Sequence, residues 1–185
     1  MTDPLPTLPH LIRPGLRLLL IGYNPGLESA RQGHYYAFRG NVFWRQLSES
    51  GLVLREVTHL DDALLMDEAG IGFTDLCRRP TARANQLTRD DLVEGVGNLL
   101  AELTTYQPAY AVFSGRGIYK VFGRHALGLS ARELAARPNG AQPERIGATT
   151  PFVIPSSSGL ASKWHAERLA LLRDLATLLT DDACP

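Results

Sequence analysis

The chain has 185 residues, 44% of them hydrophobic, which is enough for one domain with a full core and gives no reason to divide it. Lysine plus arginine and aspartate plus glutamate number 19 each, so the net charge is zero. This excludes the large positive field of many nucleic-acid-binding proteins, and any such binding must rest on local groups. The two cysteines, Cys77 and Cys184, have no Cys-x-x-Cys spacing, which argues against a disulfide framework and against a zinc or iron–sulfur site.

The sequence carries no sign of export or of membrane insertion. No run approaches the roughly 20 apolar residues of a membrane-spanning helix. The opening stretch contains an acid and several prolines where a secretion signal would be basic and then apolar. We therefore expect one soluble cytoplasmic domain over residues 1–185, with no membrane partner and with loose ends at residues 1–15 and 180–185.

The predicted elements begin with a buried strand from Arg17 to Gly22, an apolar run that ends in the turn sequence GYNPG. A helix is predicted from Asn41 to Glu49, where apolar residues recur at helical spacing. A second short apolar run, Ile71 to Asp75, predicts another buried strand.

In the second half of the chain, Thr88 and Asp91 have the spacing of a capping box and precede a helical pattern that continues to Tyr106. The apolar face of this helix is formed by Leu92, Val96, Leu99, Leu100 and Leu103. Further strands are predicted from Tyr110 to Phe113 and from Pro151 to Ile154. The stretch ASKWHAERLALLRDLATLLT predicts a C-terminal helix, whose apolar face is formed by Leu169, Leu172, Leu175 and Leu179.

Strands without internal alternation, separated by helices, favour a parallel sheet covered on both faces. The sequence therefore predicts an α/β fold, a three-layer α/β/α sandwich with a central four-stranded parallel sheet. In such sheets, ligands bind beyond the carboxyl ends of the strands. Those ends carry the sequences GYNPG, FTDL, FSGRG and PSSSGL, so four loops of small and polar residues are expected to share one rim.

Asn24 lies in the first of these loops, between residues that restrict the backbone. Pro25 fixes its own φ and the two glycines permit close approach, so we expect the side chain of Asn24 to keep one direction. The alternative is a plain strand-to-helix turn, in which Asn, Pro and Gly are common for backbone reasons.

Aromatic residues are concentrated in the run QGHYYAFRGNVFW, close to the proposed rim. Aromatic rings stack on nucleobases, and each contact contributes about 1 to 3 kcal/mol. Tyr36, in the loop part of this run, is the better candidate for stacking. Phe43 and Trp44 lie inside the predicted helix and are expected to belong to the core.

The last rim loop, VIPSSSGLASKW, has three serines before a helix that begins near Lys163. Serine hydroxyls, loop N–H groups and a helix N-terminus suit a phosphate, which makes Ser156 and Ser158 candidates for DNA binding. Leu160 has the character of an apolar wedge that enters a base stack. The alternative for Leu160 is an ordinary exposed leucine.

These motifs, GYNPG, GHYYAFRGNVFW, GIGFTDL, YQPAYAVFSGRGIYKVFG and PSSSGL, stand in an order and at a spacing that resemble the mismatch-specific uracil and thymine DNA glycosylases of the uracil-glycosylase superfamily. The likeness covers roughly Leu16 to Leu179. It implies a uracil-DNA-glycosylase-like fold and removal of uracil, or of thymine or damaged pyrimidines, from mispairs with guanine. We accordingly expect a monomer without metal or cofactor, whose partner is double-stranded DNA with G·U or G·T mispairs.

The resemblance also implies roles for residues at the base. Asn24 corresponds to the residue that positions the hydrolytic water, and Tyr36 to the aromatic residue that stacks on the extruded base. Backbone N–H groups around Gly22 and Tyr23 are then expected to contact oxygen atoms of the base.

In the last motif, the resemblance assigns the wedge to Leu160 and contacts to the opposite guanine to Gly159 and Ala161. The chain departs from the family at Ser156, where some members have asparagine, which leaves the contact of this residue to phosphate or base open.

A second departure from the family lies in GIGFTDL, where Asp75 stands at the position of an amide or a lysine. An ionised Asp75 can accept the pyrimidine N3–H or act as a general base for water, although its charge opposes a developing pyrimidine anion. The alternative is a strand-end aspartate that accepts hydrogen bonds from loop N–H groups.

Local positive charge is expected from the start of the helix after FSGRG. Ser114 and Arg116 begin that helix and, together with Lys120 and Lys163, are candidates for DNA contact. For Arg116 and Lys120, a solvated helix face explains the charge equally well.

Two rival functions remain open. A binding module would recognise flipped or free bases through Tyr36 without hydrolysing them, and Asn24 would have no catalytic role. A nucleoside hydrolase acting on small molecules would have no use for a wedge at Leu160.

Overall fold

The computed structural model describes residues 5–158 and 163–181. Its sheet is built from the strands β1 (Leu18–Gly22), β2 (Ile71–Asp75), β3 (Tyr110–Ser114), β4 (Gly140–Ala141) and β5 (Thr150–Ile154). The strand order is β2-β1-β3-β5-β4. The pairs β1–β2, β1–β3 and β3–β5 are parallel, which confirms the four predicted parallel strands. β4 pairs antiparallel with β5 and was not predicted, because two residues are too few to produce a hydrophobic pattern.

Seven α-helices lie in the described part of the chain: α1 (Leu27–Gln32), α2 (Phe43–Glu49), α3 (Leu65–Glu68), α4 (Arg89–Tyr106), α5 (Arg116–Ala126), α6 (Ala131–Ala136) and α7 (His165–Asp181). Two short 3₁₀ turns are added at His59–Asp61 and Ala84–Gln86. No helix among these residues is long and apolar enough to cross a membrane.

The helices cover both faces of the sheet, and alternate strand residues enter opposite cores. In β1, Leu18 and Leu20 pack in the core that also contains residues of α2, α3 and α7. Leu19 and Ile21 pack in the core formed with α4, α5 and α6. The predicted three-layer α/β/α sandwich is therefore confirmed.

Hydrogen bonds between side chains and the backbone lie at the starts of α4 and α2. Thr88 accepts a hydrogen bond from the Asp91 N–H at 3.1 Å, and Asp91 accepts one from the Thr88 N–H at 2.7 Å, so the capping box of α4 is confirmed. The second helix, α2, begins at Phe43, two residues after its predicted start at Asn41, and the Asn41 side chain accepts a hydrogen bond from the Phe43 N–H at 3.0 Å. Phe43 and Trp44 are buried in the core, as predicted.

The N-terminal segment is not loose over its whole predicted range. Leu8, Leu11 and Ile12 are buried, and the Leu11 carbonyl accepts a hydrogen bond from the Phe73 N–H at 2.8 Å. This segment covers the outer edge of β2, whose N–H groups would otherwise face water. At the other end of the chain, α7 continues through Asp181.

Candidate active site

A cavity of about 890 Å³ lies beyond the carboxyl ends of the parallel strands. All four predicted rim loops contribute to its wall. The predicted site residues that line it are Gly22, Tyr23, Asn24, Tyr36, Asp75, Ser114, Ser156 and Ser158. Residues separated by more than 130 positions in the sequence therefore meet at one rim because their strands are parallel neighbours.

Asn24 is fixed by hydrogen bonds from its amide nitrogen. Its Nδ2 donates to the Thr81 hydroxyl at 2.7 Å and to the Arg79 carbonyl at 3.0 Å. The Thr81 N–H in turn donates to the Pro25 carbonyl at 3.1 Å, which joins the turn to the segment after β2. Because the donors of the amide are occupied, and no described residue donates to its Oδ1, the Asn24 side chain offers an acceptor of fixed direction.

Asp75 ends β2 and packs directly against Gly22, its register partner at the end of β1. The side chain is partly buried, and within the described residues its carboxyl group accepts no hydrogen bond. The hydrogen bonds from loop N–H groups that the alternative predicts are not found among the described residues. Burial raises the pKa of Asp75 to about 7, and the attraction of Arg78 opposes that rise.

Arg78 is oriented by a small network that connects the end of β2 to α4. Its Nη2 donates to Glu102 Oε1 at 2.6 Å, and the same oxygen lies 3.0 Å from His10 Nε2. The Thr74 hydroxyl donates to the other oxygen of Glu102 at 3.2 Å. Because Arg78 is hydrogen-bonded to Glu102, it does not pair directly with Asp75. Its positive charge therefore compensates only part of the cost of burying the Asp75 carboxylate.

Tyr36 has a φ of 52°, in the left-handed region that bulky residues rarely adopt. Its ring packs on Phe43 with centroids 4.2 Å apart and planes 25° apart, so a base can stack only on its other face. The hydroxyl is buried without a hydrogen-bond partner among the described residues. Burial and the nearby charge of Asp75 raise the pKa of Tyr36.

Two further predicted residues complete the cavity wall near Tyr36. Ser114 ends β3, and its buried hydroxyl has no hydrogen-bond partner in the described chain, although it lies close to that of Tyr36. The Tyr23 carbonyl accepts the Cys77 N–H at 3.0 Å, which extends the pairing of β1 and β2. Burial raises the pKa of the Tyr23 hydroxyl.

Residues 156–158, here called the serine loop, form the wall beyond β5. Ser157 is buried, and the Ser158 N–H donates to the Ser156 hydroxyl at 3.3 Å. The predicted wedge Leu160 and its neighbours Gly159 and Ala161 lie outside the described residues.

The predicted basic residues lie away from the cavity. The Arg116 guanidinium donates to the Arg137 carbonyl at 2.6 Å, on the side of α5 that faces α6. Lys163 is exposed, with its Nζ 5.0 Å from the centroid of the Trp164 ring. Neither side chain lines the cavity.

Sequence reasoning missed Thr81, which orients Asn24 from a position 57 residues further along the chain. Nothing in its neighbourhood marks it, because its importance arises only when the two loops meet. Within residues 5–158 and 163–181, no group of three His, Cys, Asp or Glu side chains is placed to hold a metal ion.

Known proteins resemble this chain over most of its length. The family described as the uracil DNA glycosylase superfamily matches residues 9–179. The chain is also similar to a G/U mismatch-specific uracil DNA glycosylase of Schizosaccharomyces pombe (strain 972 / ATCC 24843), with 33% identity over 153 residues. That alignment covers 81% of this chain and 46% of the yeast protein, so the chain spans about half the length of this curated relative. Because the family match extends over nearly the whole chain, the protein belongs to the uracil DNA glycosylase superfamily.

Proposed function

We propose that the protein is a monofunctional DNA glycosylase that flips uracil out of a mispair with guanine and hydrolyses the N-glycosidic bond, leaving an abasic site. The observation that carries this proposal is the presence, in one cavity, of a carboxamide of fixed direction and a carboxyl group without hydrogen bonds, Asn24 and Asp75. The similarity to a G/U mismatch-specific uracil DNA glycosylase supports uracil as the base and guanine as its partner.

A base within a duplex is out of reach of the cavity, so the nucleotide must leave the stack. A mispaired base costs least to extrude, and weak pairing therefore contributes to selection. The free face of Tyr36 would receive the flipped base by stacking. Thymine and damaged pyrimidines belong to the proposed substrate range where the cavity accommodates a group at the pyrimidine 5-position.

In the proposed reaction, the bond between C1′ and the pyrimidine N1 breaks and the electron pair leaves with the base. Asn24 Oδ1 accepts a hydrogen bond from the water that adds to C1′, and the ionised Asp75 accepts the proton which that water releases. Backbone N–H groups near Gly22 and Tyr23 would stabilise the negative charge on the oxygens of the departing base. The departing base finally takes a proton from solvent.

Asp75 has two opposing effects in this reaction. As a base it activates water, but its negative charge opposes the charge that develops on the pyrimidine. With its pKa near 7, a substantial fraction of the protein holds the carboxyl group neutral at neutral pH. We therefore expect a modest rate that rises with pH.

The absence of strand cleavage is also part of the proposal. Cleavage through a Schiff base needs an amine close to C1′. The two lysines of the sequence, Lys120 and Lys163, do not line the cavity. Leu160 remains the proposed wedge, Gly159 and Ala161 the proposed readers of guanine, and Ser114, Ser156 and Ser158 the proposed contacts to DNA.

The test is excision from duplexes that carry G·U, A·U or G·T at one site, followed by alkali and gel electrophoresis. Cleavage at G·U that disappears in Asn24→Ala is the expected result. Strand breaks without alkali would contradict a monofunctional enzyme. Tight binding of intact DNA would favour a binding module, and release of base only from free nucleosides would favour a nucleoside hydrolase.

A further inference from the structure

Arg168 is a buried cation that no carboxylate in the described chain accompanies. It lies near the start of α7 and is 0% exposed, which makes it the largest fully buried side chain among the described residues. Burial lowers the pKa of its guanidinium, but arginine remains protonated in proteins. A buried charge without an opposite charge is costly, and hydrogen bonds to its donors offset part of that cost.

Those hydrogen bonds join two separate elements. The Arg168 Nε donates to Gln46 Oε1 at 2.6 Å, and its Nη1 donates to the Ser156 carbonyl. Gln46 is itself buried, and its Nε2 donates to the His165 carbonyl at the start of α7 at 2.8 Å. One planar guanidinium and one amide thus connect α2, α7 and the chain just beyond β5.

One connected element lines the cavity, and the other supports a residue that lines it. Ser156 is the first residue of the serine loop. Gln46 follows Phe43 by one turn of α2, and Phe43 carries the ring on which Tyr36 packs. The guanidinium therefore links the serine loop at one side of the cavity to the helix whose Phe43 supports Tyr36.

We infer that Arg168 is a positioning residue that holds the serine loop in its DNA-binding arrangement before DNA arrives. The inference rests on the proposed function, because it assigns the loop to DNA. A loop that is ordered in advance loses less conformational entropy on binding, and this strengthens affinity without a new contact to the ligand. The planar guanidinium holds two acceptors at once, which an ammonium group at this position does less well.

The test compares Arg168→Met with Arg173→Met in the full chain. Arg173 is an exposed residue of the same helix, so both variants lose one positive charge and only one loses the buried hydrogen bonds. Neither of the two readouts needs catalysis. The first is hydrogen exchange of the Ser157 and Ser158 amides, with α4 amides as an internal reference. The second is the Kd for a duplex that carries 2′-fluorodeoxyuridine opposite guanine, a nucleotide that resists hydrolysis.

In Arg168→Met we expect exchange in the serine loop to accelerate by about tenfold relative to α4, and the Kd to rise by about tenfold. Arg173→Met should match the parent in both readouts. Arg168→Lys should give values between those of the parent and those of Arg168→Met. Parental exchange in Arg168→Met would overturn the inference, and so would faster exchange with a parental Kd. If the methionine variant does not fold, Arg168→Lys decides, and parental values of both quantities overturn the inference. A parent that orders its loop and binds this duplex but excises no uracil would contradict the proposed function alone.

Discussion

Gly22 and Asp75 end neighbouring strands in register, and a carboxyl oxygen of Asp75 occupies the space where a side chain at position 22 would begin. A Cβ added to Gly22 would lie 2.1 Å from Asp75 Oδ1 and 3.6 Å from the Tyr36 hydroxyl. The φ of Gly22 is not in the left-handed region, so the glycine is required by the close approach of the carboxyl group. The first glycine of GYNPG thus makes room for the proposed general base.

Gly22→Ala is expected to displace the Asp75 carboxyl group from its position in the cavity wall. A contact of 2.1 Å cannot be accommodated without movement, but the contacted oxygen ends a flexible side chain, so the carboxyl group should move away at little cost in stability. The rate of excision at G·U should fall by about 10²-fold or more, because a misplaced general base loses most of its contribution to catalysis. Urea unfolding and single-turnover excision measure the two effects.

The matched control is Gly97→Ala, on the exposed side of α4, where a new Cβ meets nothing within 4 Å. This variant should keep the parental excision rate and gain up to about 1 kcal/mol of stability, because alanine favours a helix over glycine. Equal losses in the two variants would show that the effect at position 22 is not the contact with Asp75.

Thr81→Val should reduce excision by loosening Asn24. The substitution keeps the shape of the side chain but removes the hydroxyl that accepts the Asn24 Nδ2 at 2.7 Å. We expect a loss of about fivefold, since a lost hydrogen bond of this kind contributes about 1 kcal/mol. Asn24→Ala should reduce the excision rate far more. The double variant should be no slower than Asn24→Ala alone. An additive double variant would mean that Thr81 acts by another route.

The fold was predictable from the sequence where buried residues or helix caps produce a local sequence pattern. The buried run of β1 and the capping pair Thr88 and Asp91 carry their structure in their own sequence. The proline-rich segment around Leu11 has the composition of a loose end, yet it is ordered because the edge of β2 at Phe73 needs a partner. That need is set by the sheet and does not appear in the local sequence.

The site was predictable where topology alone brings residues together. Asn24 and Asp75 follow strands of one parallel sheet, so the sequence was sufficient to place both at one rim. Arg168 was overlooked, although it precedes Leu172, Leu175 and Leu179 at intervals of four, seven and eleven residues and therefore lies on the buried face of α7. Its partners, Gln46 and Ser156, follow only from tertiary structure.

The excision rate should rise with pH through the pKa of Asp75. A general base acts in its ionised form, and the pKa is about 7, so the rate should increase about tenfold per pH unit below neutrality and level off above it. Single-turnover rates from about pH 5 to about pH 9 test this. Asp75→Asn should be slower by about 10²-fold or more and nearly flat with pH. A parental rate that falls as the pH rises through 7 would instead identify the neutral carboxyl group as the active form.

Arg78→Met should move that profile to higher pH. Arg78 is the cation whose attraction lowers the pKa of Asp75, and its removal leaves the effect of burial unopposed. The plateau rate should remain close to that of the parent, because Arg78 contacts Glu102 and does not contact the reacting groups. Arg13→Met, which removes an exposed cation paired with Asp67, is the matched control and should leave the midpoint of the profile unchanged. A midpoint that stays in place in Arg78→Met would contradict this electrostatic account.

Asp75 should also make the protein less stable as the pH rises. The carboxyl group has a pKa of about 7 in the folded protein and an ordinary pKa of 3.8, so between these values the folded state binds more protons than the unfolded state. The free energy of unfolding therefore falls as pH rises through this window, by at most about 4 kcal/mol from this group. Asp75→Asn removes the penalty, so it should be no more stable than the parent near pH 4 and clearly more stable near pH 8. Urea unfolding of both proteins at the two pH values measures the difference, and a stability gain that is equal at both would show that ionisation of Asp75 is not its cause.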